Sequence, residues 1–201
     1  MEKPKMILAI EAAVSGGSLS LVADDTEIAN WTGEADGLRA ENLIIEIERL
    51  LDFAGVAKTD INQLVVSAGP GSFTGIRIGM ATGLGLKDAL RISMVSVSAL
   101  EAMAFSNNHT GIVAVPMGRG GAAAQRFVNG QAEGSPFSIT TDEIYRLDPG
   151  DDLLNHGKLA LVTDKRSGTT NFGKNVAFAL AKLAHAKPET LHEPIFLSKT
   201  T

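Results

Sequence analysis

The sequence of 201 residues contains no cysteine. Disulfide bonds, thiolate catalysis and zinc sites built on cysteine are therefore excluded. Long hydrophobic runs are missing too, and no stretch approaches the length of a membrane helix. The first apolar run, 6–10, is too short for a signal peptide and ends at Glu11. From these absences we expect a protein of the reducing cytoplasm that makes no contact with a membrane.

Positive charge is scarce. The chain has 18 Lys and Arg residues against 23 Asp and Glu residues, and its net charge is -5 at pH 7. Because contacts to nucleic-acid phosphates need clustered Lys and Arg, this balance argues against a free-standing nucleic-acid binder. The hydrophobic share of 44% is ordinary for a globular protein, and the length is enough for one or two small domains.

The spacing of apolar residues predicts an α/β fold in two lobes. Short apolar or alternating runs predict strands, and longer runs with apolar residues three or four apart predict helices. A polar, turn-rich stretch at 106–111 predicts the boundary between a first lobe, 1–105, and a second lobe, 106–201. In the first lobe the predicted strands are 6–10, 18–22, 27–31, 64–67 and 93–97, and the predicted helices are 38–54, 73–90 and 98–105.

The second lobe gives weaker signals. It begins like the first, with a predicted strand at 111–115, but fewer elements follow. An unusual stretch at 116–125 is predicted as a loop that runs into the next strand. The other predicted elements are strands at 124–128 and 159–162, a closing helix at 176–184 and an extended surface segment at 193–198. We therefore expect a reduced second lobe.

One stretch, Gly69-Pro-Gly-Ser-Phe-Thr-Gly-Ile-Arg-Ile-Gly79, stands between a predicted strand and a predicted helix. Pro70 between two glycines predicts a sharp turn. Ser72 is a candidate N-cap, because its hydroxyl can accept from a free N–H of the first helical turn. Each glycine inside the helix costs about 1 kcal/mol relative to alanine, so a helix that keeps several of them needs them.

Gly75, Gly79 and Gly83 lie four residues apart and form a stripe without side chains on one side of the helix. A bare stripe lets another backbone approach closely. Two interpretations compete: the stripe packs on the protein's own sheet, or it forms a helix–helix interface with another chain. The sequence alone does not decide between them.

Searches for catalytic patterns give little. The glycine-rich turn lacks the Gly-Lys-Ser/Thr ending of a Walker A loop, because Ile76 follows Gly75. Thr74 stands where the third glycine of a dinucleotide fingerprint belongs. Ser72 lies one position away from the serine of a nucleophile elbow. The four histidines are not spaced as metal ligands on a helix. An anion could still bind to the free N–H groups of the turn.

Glu11 ends the first strand, where a catalytic or metal-binding carboxylate often lies, and Glu11, Gly16 and Gly17 give a weak signal for nucleotide binding. The alternative, which we favour, is a hydrogen-bonded turn residue. Arg77 could hold an acid, or it could extend from the helix into solvent.

The long glycine-rich stretch resembles the hallmark of the TsaB family of bacterial tRNA threonylcarbamoyladenosine biosynthesis proteins, which are YeaZ-like and glycoprotease-like paralogues of TsaD. Further segments that resemble the family are 7–11, 39–43, 97–101 and 193–197. The resemblance is strong to about residue 105 and weak after it. It implies an actin-like ATPase fold of two β-β-β-α-β-α lobes, related to ribonuclease H.

The resemblance also implies a function. Family members lack the active site of TsaD, pair with TsaD and with the ATPase TsaE, and serve the modification of the adenosine next to the anticodon in tRNAs reading codons that begin with A. They pair through helices of the first lobe, here 38–54 and 73–89, and form homodimers when alone. The implied interface residues are Leu43, Ile44, Ile47, Phe73, Gly75, Ile76, Gly79, Met80 and Gly83, and the motif turn consists of Gly69, Pro70, Gly71, Ser72, Thr74 and Arg77.

The chain departs from the family at several points. Glu11 stands where the family usually has Asp, and Ala12-Ala13 follow it where Thr or Ser is common. Pro116 stands about where an Asp opens the second lobe. The chain is also somewhat short for the family. The loss of carboxylate and hydroxyl positions weakens the case for nucleotide chemistry in this chain.

Three hypotheses follow. The first is a non-catalytic scaffold subunit that binds no cofactor, activates TsaD and meets tRNA only through the complex, with ATP and a divalent metal on the partner subunits. The second is an enzyme, either an actin-fold ATPase or a peptidase that acts on the partner. The third is a stand-alone homodimer with a regulatory role.

Overall fold

The computed structural model describes residues 4–14, 16–33, 40–118, 121–147, 151–156, 168–172, 175–187 and 193–197. Its strands are β1 (Met6–Glu11), β2 (Ser18–Ala23), β3 (Thr26–Thr32), β4 (Gln63–Ser67), β5 (Ser93–Val97), β6 (Gly111–Gly118), β7 (Gly121–Val128), β8 (Gln131–Thr140), β9 (Leu153–Asn155) and β10 (Thr169–Asn171). Its α-helices are α1 (Ala40–Ala54), α2 (Phe73–Leu90), α3 (Ala99–Asn107), α4 (Thr141–Tyr145) and α5 (Val176–Ala186).

The ten strands form two sheets with the same topology. The first has the order β3-β2-β1-β4-β5 and the second the order β8-β7-β6-β9-β10. In each sheet the first three strands form an antiparallel meander, and the last two add in parallel beside the first strand. The α/β class and the two-lobe architecture predicted from the sequence are confirmed.

Strand β1 lies at the centre of the first sheet and is buried along its whole length. Its side chains alternate between the two faces of the sheet, as the pleat requires. Leu8 and Ile10 face an outer core that α1 and α2 cover, whereas Ile7 and Ala9 face a central core. The unbroken apolar run of β1 is thus explained by helices on both faces.

Helices α3 and α5 pack against each other in the central core, between the two sheets. Although α5 comes last in the chain, it lies against β1, β2, β4 and β5 of the first sheet. The Asn175 side chain caps α5 by accepting from the Phe178 N–H, at 3.2 Å, and donates to the Leu19 carbonyl at 3.0 Å. The Ser18 hydroxyl accepts from the Ala177 N–H at 3.1 Å. The start of α5 is therefore fixed to the first sheet by both apolar and polar contacts.

The first lobe follows the sequence prediction closely, and the second does not. Among the described residues the second lobe has as many strands as the first, but its last two strands, β9 and β10, are short, with three residues each. The prediction of a loop is wrong for the described part of 116–125: residues 116–118 belong to β6 and residues 121–125 to β7, and Pro116 pairs with Ala122. The strand predicted at 159–162 lies outside the described residues, and so do residues 38 and 39 of the first predicted helix. The division at 105/106 stays a prediction.

Candidate functional site

The glycine-rich turn, residues 69–72, connects β4 to α2. The Gly69–Pro70 peptide bond is cis, and Gly69 has a φ of 88°. A side chain at Gly69 would also meet Ile76 and the backbone of Ile195, so the position needs glycine for two reasons. The Ser72 hydroxyl accepts from the Gly75 N–H at 3.2 Å, which confirms the predicted N-cap.

Three other parts of the chain bond to this turn. The Ser72 N–H donates to the Ala13 carbonyl at 2.7 Å, and the Ala99 N–H donates to the Gly69 carbonyl at 2.8 Å. Just before the turn, the Ala68 carbonyl accepts from the Ile195 N–H at 2.7 Å. The backbone groups of the turn are thus used to join the β1–β2 turn, the start of α3 and the segment 193–197.

The glycine stripe of α2 packs on the protein's own first sheet. A Cβ at Gly75 would overlap the Ala12 carbonyl oxygen, and one at Gly83 would lie 2.6 Å from a methyl group of Val66. Gly79 lies against Ala12 as well, with 3.4 Å between a Cβ there and the Ala12 Cβ. Of the two interpretations, packing within the chain is the correct one.

Six of the nine predicted interface residues pack inside the chain, and their part in an interface stays a prediction. They are buried within the chain, because one side of each amphipathic helix must cover the sheet. These residues are Leu43, Ile47, Gly75, Ile76, Gly79 and Gly83.

The other three predicted interface residues lie nearer the surface. Ile44 is 43% exposed and Phe73 is 51% exposed, whereas Met80 is partly buried against the outer core. Burial within a single chain does not decide whether these three residues contact a partner, so their role stays a prediction.

Three further exposed apolar residues of these helices are not among the predicted interface residues. Ile45 is 45% exposed, Leu84 is 46% exposed and Phe53 is 84% exposed. Each lies outside the buried stripe of its helix, and a helical-wheel projection of the sequence shows this position. We call the exposed apolar residues of the two helices, together with Arg77, the α1–α2 face: Ile44, Ile45, Phe53, Phe73, Arg77 and Leu84. Within this set Ile44 lies next to α2, whereas Phe53 lies near Trp31 of β3.

A shallow groove runs between the two helices next to this face. Ile44 and Ile47 of α1 line one side, and Leu86 and Leu90 of α2 line the other. Apolar side chains that remain in contact with water are common at surfaces that bind other proteins. The α1–α2 face and its groove are the candidate functional site.

The motif residues Thr74 and Arg77 lie on the first turns of α2, and both are exposed. The guanidinium carbon of Arg77 lies 3.8 Å from the centre of the Phe73 ring. Arg77 therefore stacks on an aromatic ring of its own helix.

Glu11 is almost fully buried at the end of β1. Its carboxylate oxygen Oε1 accepts from the Ala13 N–H at 2.6 Å and from the Val14 N–H at 2.8 Å. Burial raises the pKa of Glu11 to about 8, and the two N–H donors oppose this increase. This geometry agrees with the interpretation of Glu11 as a turn residue.

The turn after Glu11 is closed by its own backbone. The Gly17 N–H donates to the Val14 carbonyl at 2.9 Å, and the Gly33 N–H donates to the Gly17 carbonyl at 3.0 Å. A Cβ at Gly33 would overlap the Gly16 carbonyl oxygen, so the turn and the end of β3 are in close contact. Nucleotide binding by Glu11, Gly16 and Gly17 remains untested.

Metal-ligand clusters and membrane-spanning helices are both absent from the part of the chain that the structure describes. Within the residues that the structure describes, no group of three or more His, Asp and Glu side chains is arranged to hold a metal ion. In the same part of the chain, none of the helices has the length and apolarity needed to cross a membrane.

Comparison with known proteins gives similarity to two related families. A family model described as TsaD, tRNA N6-adenosine threonylcarbamoyltransferase, matches residues 34–125, which contain both α1 and α2. The chain is 32% identical over 103 residues to the tRNA threonylcarbamoyladenosine biosynthesis protein TsaB of Bacillus subtilis, a match that covers 51% of this chain and 45% of the relative. It is 36% identical over 98 residues to TsaB of Escherichia coli, with 49% of this chain and 42% of the relative covered.

Among solved structures, YeaZ from Pseudomonas aeruginosa has the same fold. The TM-score is 0.69 at 21% identity, and the match covers 96% of this chain and 100% of that chain. The matched segments span less than half the length of the two curated TsaB proteins. The comparisons thus confirm the predicted resemblance: the chain is similar to TsaB in sequence over about half of its length, and it has the actin-like ATPase fold shared with YeaZ.

Proposed function

We propose that this chain takes part in tRNA threonylcarbamoyladenosine biosynthesis as a non-catalytic scaffold subunit that binds and activates TsaD. The observation that supports this most is the exposed apolar α1–α2 face, which lies within the segment similar to the two families. Ile45, Phe53 and Leu84 are exposed to solvent there. Because apolar surface in water is unfavourable, binding of a partner that buries these side chains would be favourable.

The state of Glu11 also favours a scaffold over an enzyme. An ATPase or a peptidase of this fold would need a working carboxylate at the end of β1. Here both N–H groups next to the carboxylate are occupied by the carboxylate itself. Such a group stabilises its own turn, and this role needs no ligand.

The remaining parts of the proposal concern partners. TsaE would join the complex with ATP and a divalent metal, which this chain does not bind. With a net charge of -5, the chain would leave most of the contact with tRNA to TsaD. In the absence of TsaD, the same apolar face would pair with a second copy of the chain. Assembly of this kind would take place in the cytoplasm.

The test is binding to the TsaD of the same organism, measured by size exclusion coupled to light scattering. We expect a heterocomplex of defined mass with the wild-type chain. Leu84→Glu and Ile45→Glu each place a charge on the α1–α2 face and should weaken the complex by at least about tenfold, because an unpaired charge would be buried in the interface.

Val128→Glu is the matched control. Val128 is 45% exposed, as Ile45 and Leu84 are, but it lies at the end of β7 in the second sheet. The control should bind TsaD as the wild type does, and thermal unfolding should show that all three variants are folded. Equal binding by all variants would refute the role of the face, and no complex with the wild type would refute the scaffold function.

A further inference from the structure

The segment 193–197 runs over the end of β4 and reaches the first turn of α2. Its side chains alternate in direction, as in an extended strand: Ile195 and Leu197 are partly buried, and Phe196 between them is 48% exposed. Leu197 packs against the central core, and the Ile195 N–H donates to the Ala68 carbonyl. The two inward residues already attach the segment, so its attachment does not require a large apolar ring at 196.

Phe196 lies against Phe73 on the outside of α2. The two ring centres are 4.9 Å apart, and the rings are inclined at 56°. Arg77, one helical turn after Phe73, stacks its guanidinium on the same ring at 3.8 Å. We call these three residues the Phe73 cluster. Both rings remain about half exposed, so the cluster presents apolar and cationic surface together.

The Arg77 guanidinium has unused bonding capacity. Among the residues that the structure describes, no carboxylate lies within ion-pair distance of it. A guanidinium offers five N–H donors in a planar fork that matches the two oxygens of a carboxylate. Because stacking on Phe73 already limits the motion of the side chain, a bound carboxylate would cost little further conformational entropy.

Phe73 and Arg77 of the cluster also belong to the α1–α2 face and lie at its end near the N-terminus of α2. Phe73, Arg77 and Leu84 lie on the exposed side of one helix, opposite the glycines. Aromatic and arginine side chains are the residue types that contribute most to protein–protein binding when they are rigid and partly desolvated.

We infer that the Phe73 cluster is an anchor point for the partner subunit, which places an Asp or Glu carboxylate on Arg77 and an apolar side chain against Phe73 and Phe196. The inference rests on the proposed function, because it names a contact within the same interface. A protein carboxylate fits better than an RNA phosphate chain, since the cluster contains a single cation and the whole chain is acidic.

The experiment measures the dissociation constant of the complex with TsaD by calorimetry. Arg77→Ala should weaken binding about tenfold or more, and the loss should shrink at high salt, where charge pairs are screened. Arg77→Lys should recover only part of the affinity, because an ammonium lacks the planar fork. Phe196→Ala should weaken binding about fivefold while the Ile195–Ala68 hydrogen bond is kept.

Lys87→Ala is the matched control, because Lys87 is an exposed cation in the last turn of the same helix. It should change the affinity less than about twofold. Thermal unfolding of each variant shows whether a loss of binding comes from a loss of fold. The isolated chain is also titrated with tRNA.

The outcomes separate the two proposals. A wild-type complex whose affinity does not change in Arg77→Ala overturns the anchor and leaves the scaffold function standing. A loss of tRNA affinity in Arg77→Ala without a loss of TsaD affinity also overturns the anchor. If the wild-type chain forms no complex with TsaD, the scaffold function fails and the anchor fails with it.

Discussion

The two sides of α2 differ in what they contact. On the inner side, Gly75 and Gly83 lie against the Ala12 backbone and Val66 of the same chain. On the outer side, Phe73, Arg77 and Leu84 meet solvent. The glycines are the unusual feature of this helix in the sequence, and for that reason an interface was one interpretation of the stripe that they form. The comparison shows that these glycines lie where space inside the chain is short, whereas the apolar residues left exposed lie outside the buried stripe.

The comparison between the two sides of α2 can be tested by substitution, and the largest effect on stability is expected at Gly75. In Gly75→Ala the new methyl group would overlap the Ala12 carbonyl oxygen and press on the Ala13 Cα, and these backbone atoms cannot turn away. We expect the free energy of unfolding to fall by about 3 kcal/mol, the upper range for an overfilled core. Chemical denaturation measures this change. A variant as stable as the wild type would show that the helix does not lie so close to the β1–β2 turn.

A second prediction concerns the turn against which the inner side packs. The pKa of Glu11 is raised from the ordinary 4.5 to about 8 in the folded chain. Between these two pH values the folded state therefore holds a proton that the unfolded state has lost. The contribution of Glu11 to stability is present below pH 4.5 and is lost as the pH rises to about 8.

Glu11→Gln should remove this pH dependence, because an amide oxygen can accept from the Ala13 and Val14 N–H groups without carrying charge. The measurement is the free energy of unfolding of both proteins from about pH 4 to about pH 9, a range that includes both pKa values. The wild type should lose stability relative to the variant as the pH increases. Parallel curves would mean that Glu11 is ionised in the folded chain at neutral pH.

The smallest effect is expected at Gly85, a glycine of α2 outside the stripe. Among the described residues, the neighbouring residues and the backbone of its own helix aside, no atom lies within 4 Å of a Cβ built there. Gly85→Ala should raise the free energy of unfolding by about 0.5–1 kcal/mol, since alanine favours the helix. A change from glycine to alanine is thus expected to lower the stability at Gly75 and to raise it at Gly85 of the same helix. A loss of stability at Gly85 would contradict the assignment of this position to the open side.

The first lobe could be predicted from the sequence because its signals are local. Ser72 and Ser98 cap α2 and α3 as single residues before apolar runs, and both hydroxyls accept the expected N–H. In the second lobe the predicted strands 111–115 and 124–128 lie within β6 and β7, but β8, β9 and β10 gave no such signal. Gly134 and Pro136 interrupt the alternation of β8, and the three residues of β9 are too few to show a period.

The candidate site was predicted only in part, for a different reason. Helical spacing identifies which residues share a side of a helix, but it does not say which side the sheet covers. Ile44 and Ile45 widened the apolar surface of α1 beyond a single stripe, and this surplus was the usable signal. The role of residue 196 depends on contact with Phe73, far away in the sequence, so no local pattern could reveal it.

The position of α5 has a consequence for how the molecule can be divided. The segment matched to the TsaD family ends at residue 125, but the inner face of the first sheet is completed by α5 at 176–186. A fragment cut at residue 125 would expose Ile7, Ala9 and Val65 to water. The part of the chain that matches the family model is therefore smaller than the part that buries the inner face of the first sheet.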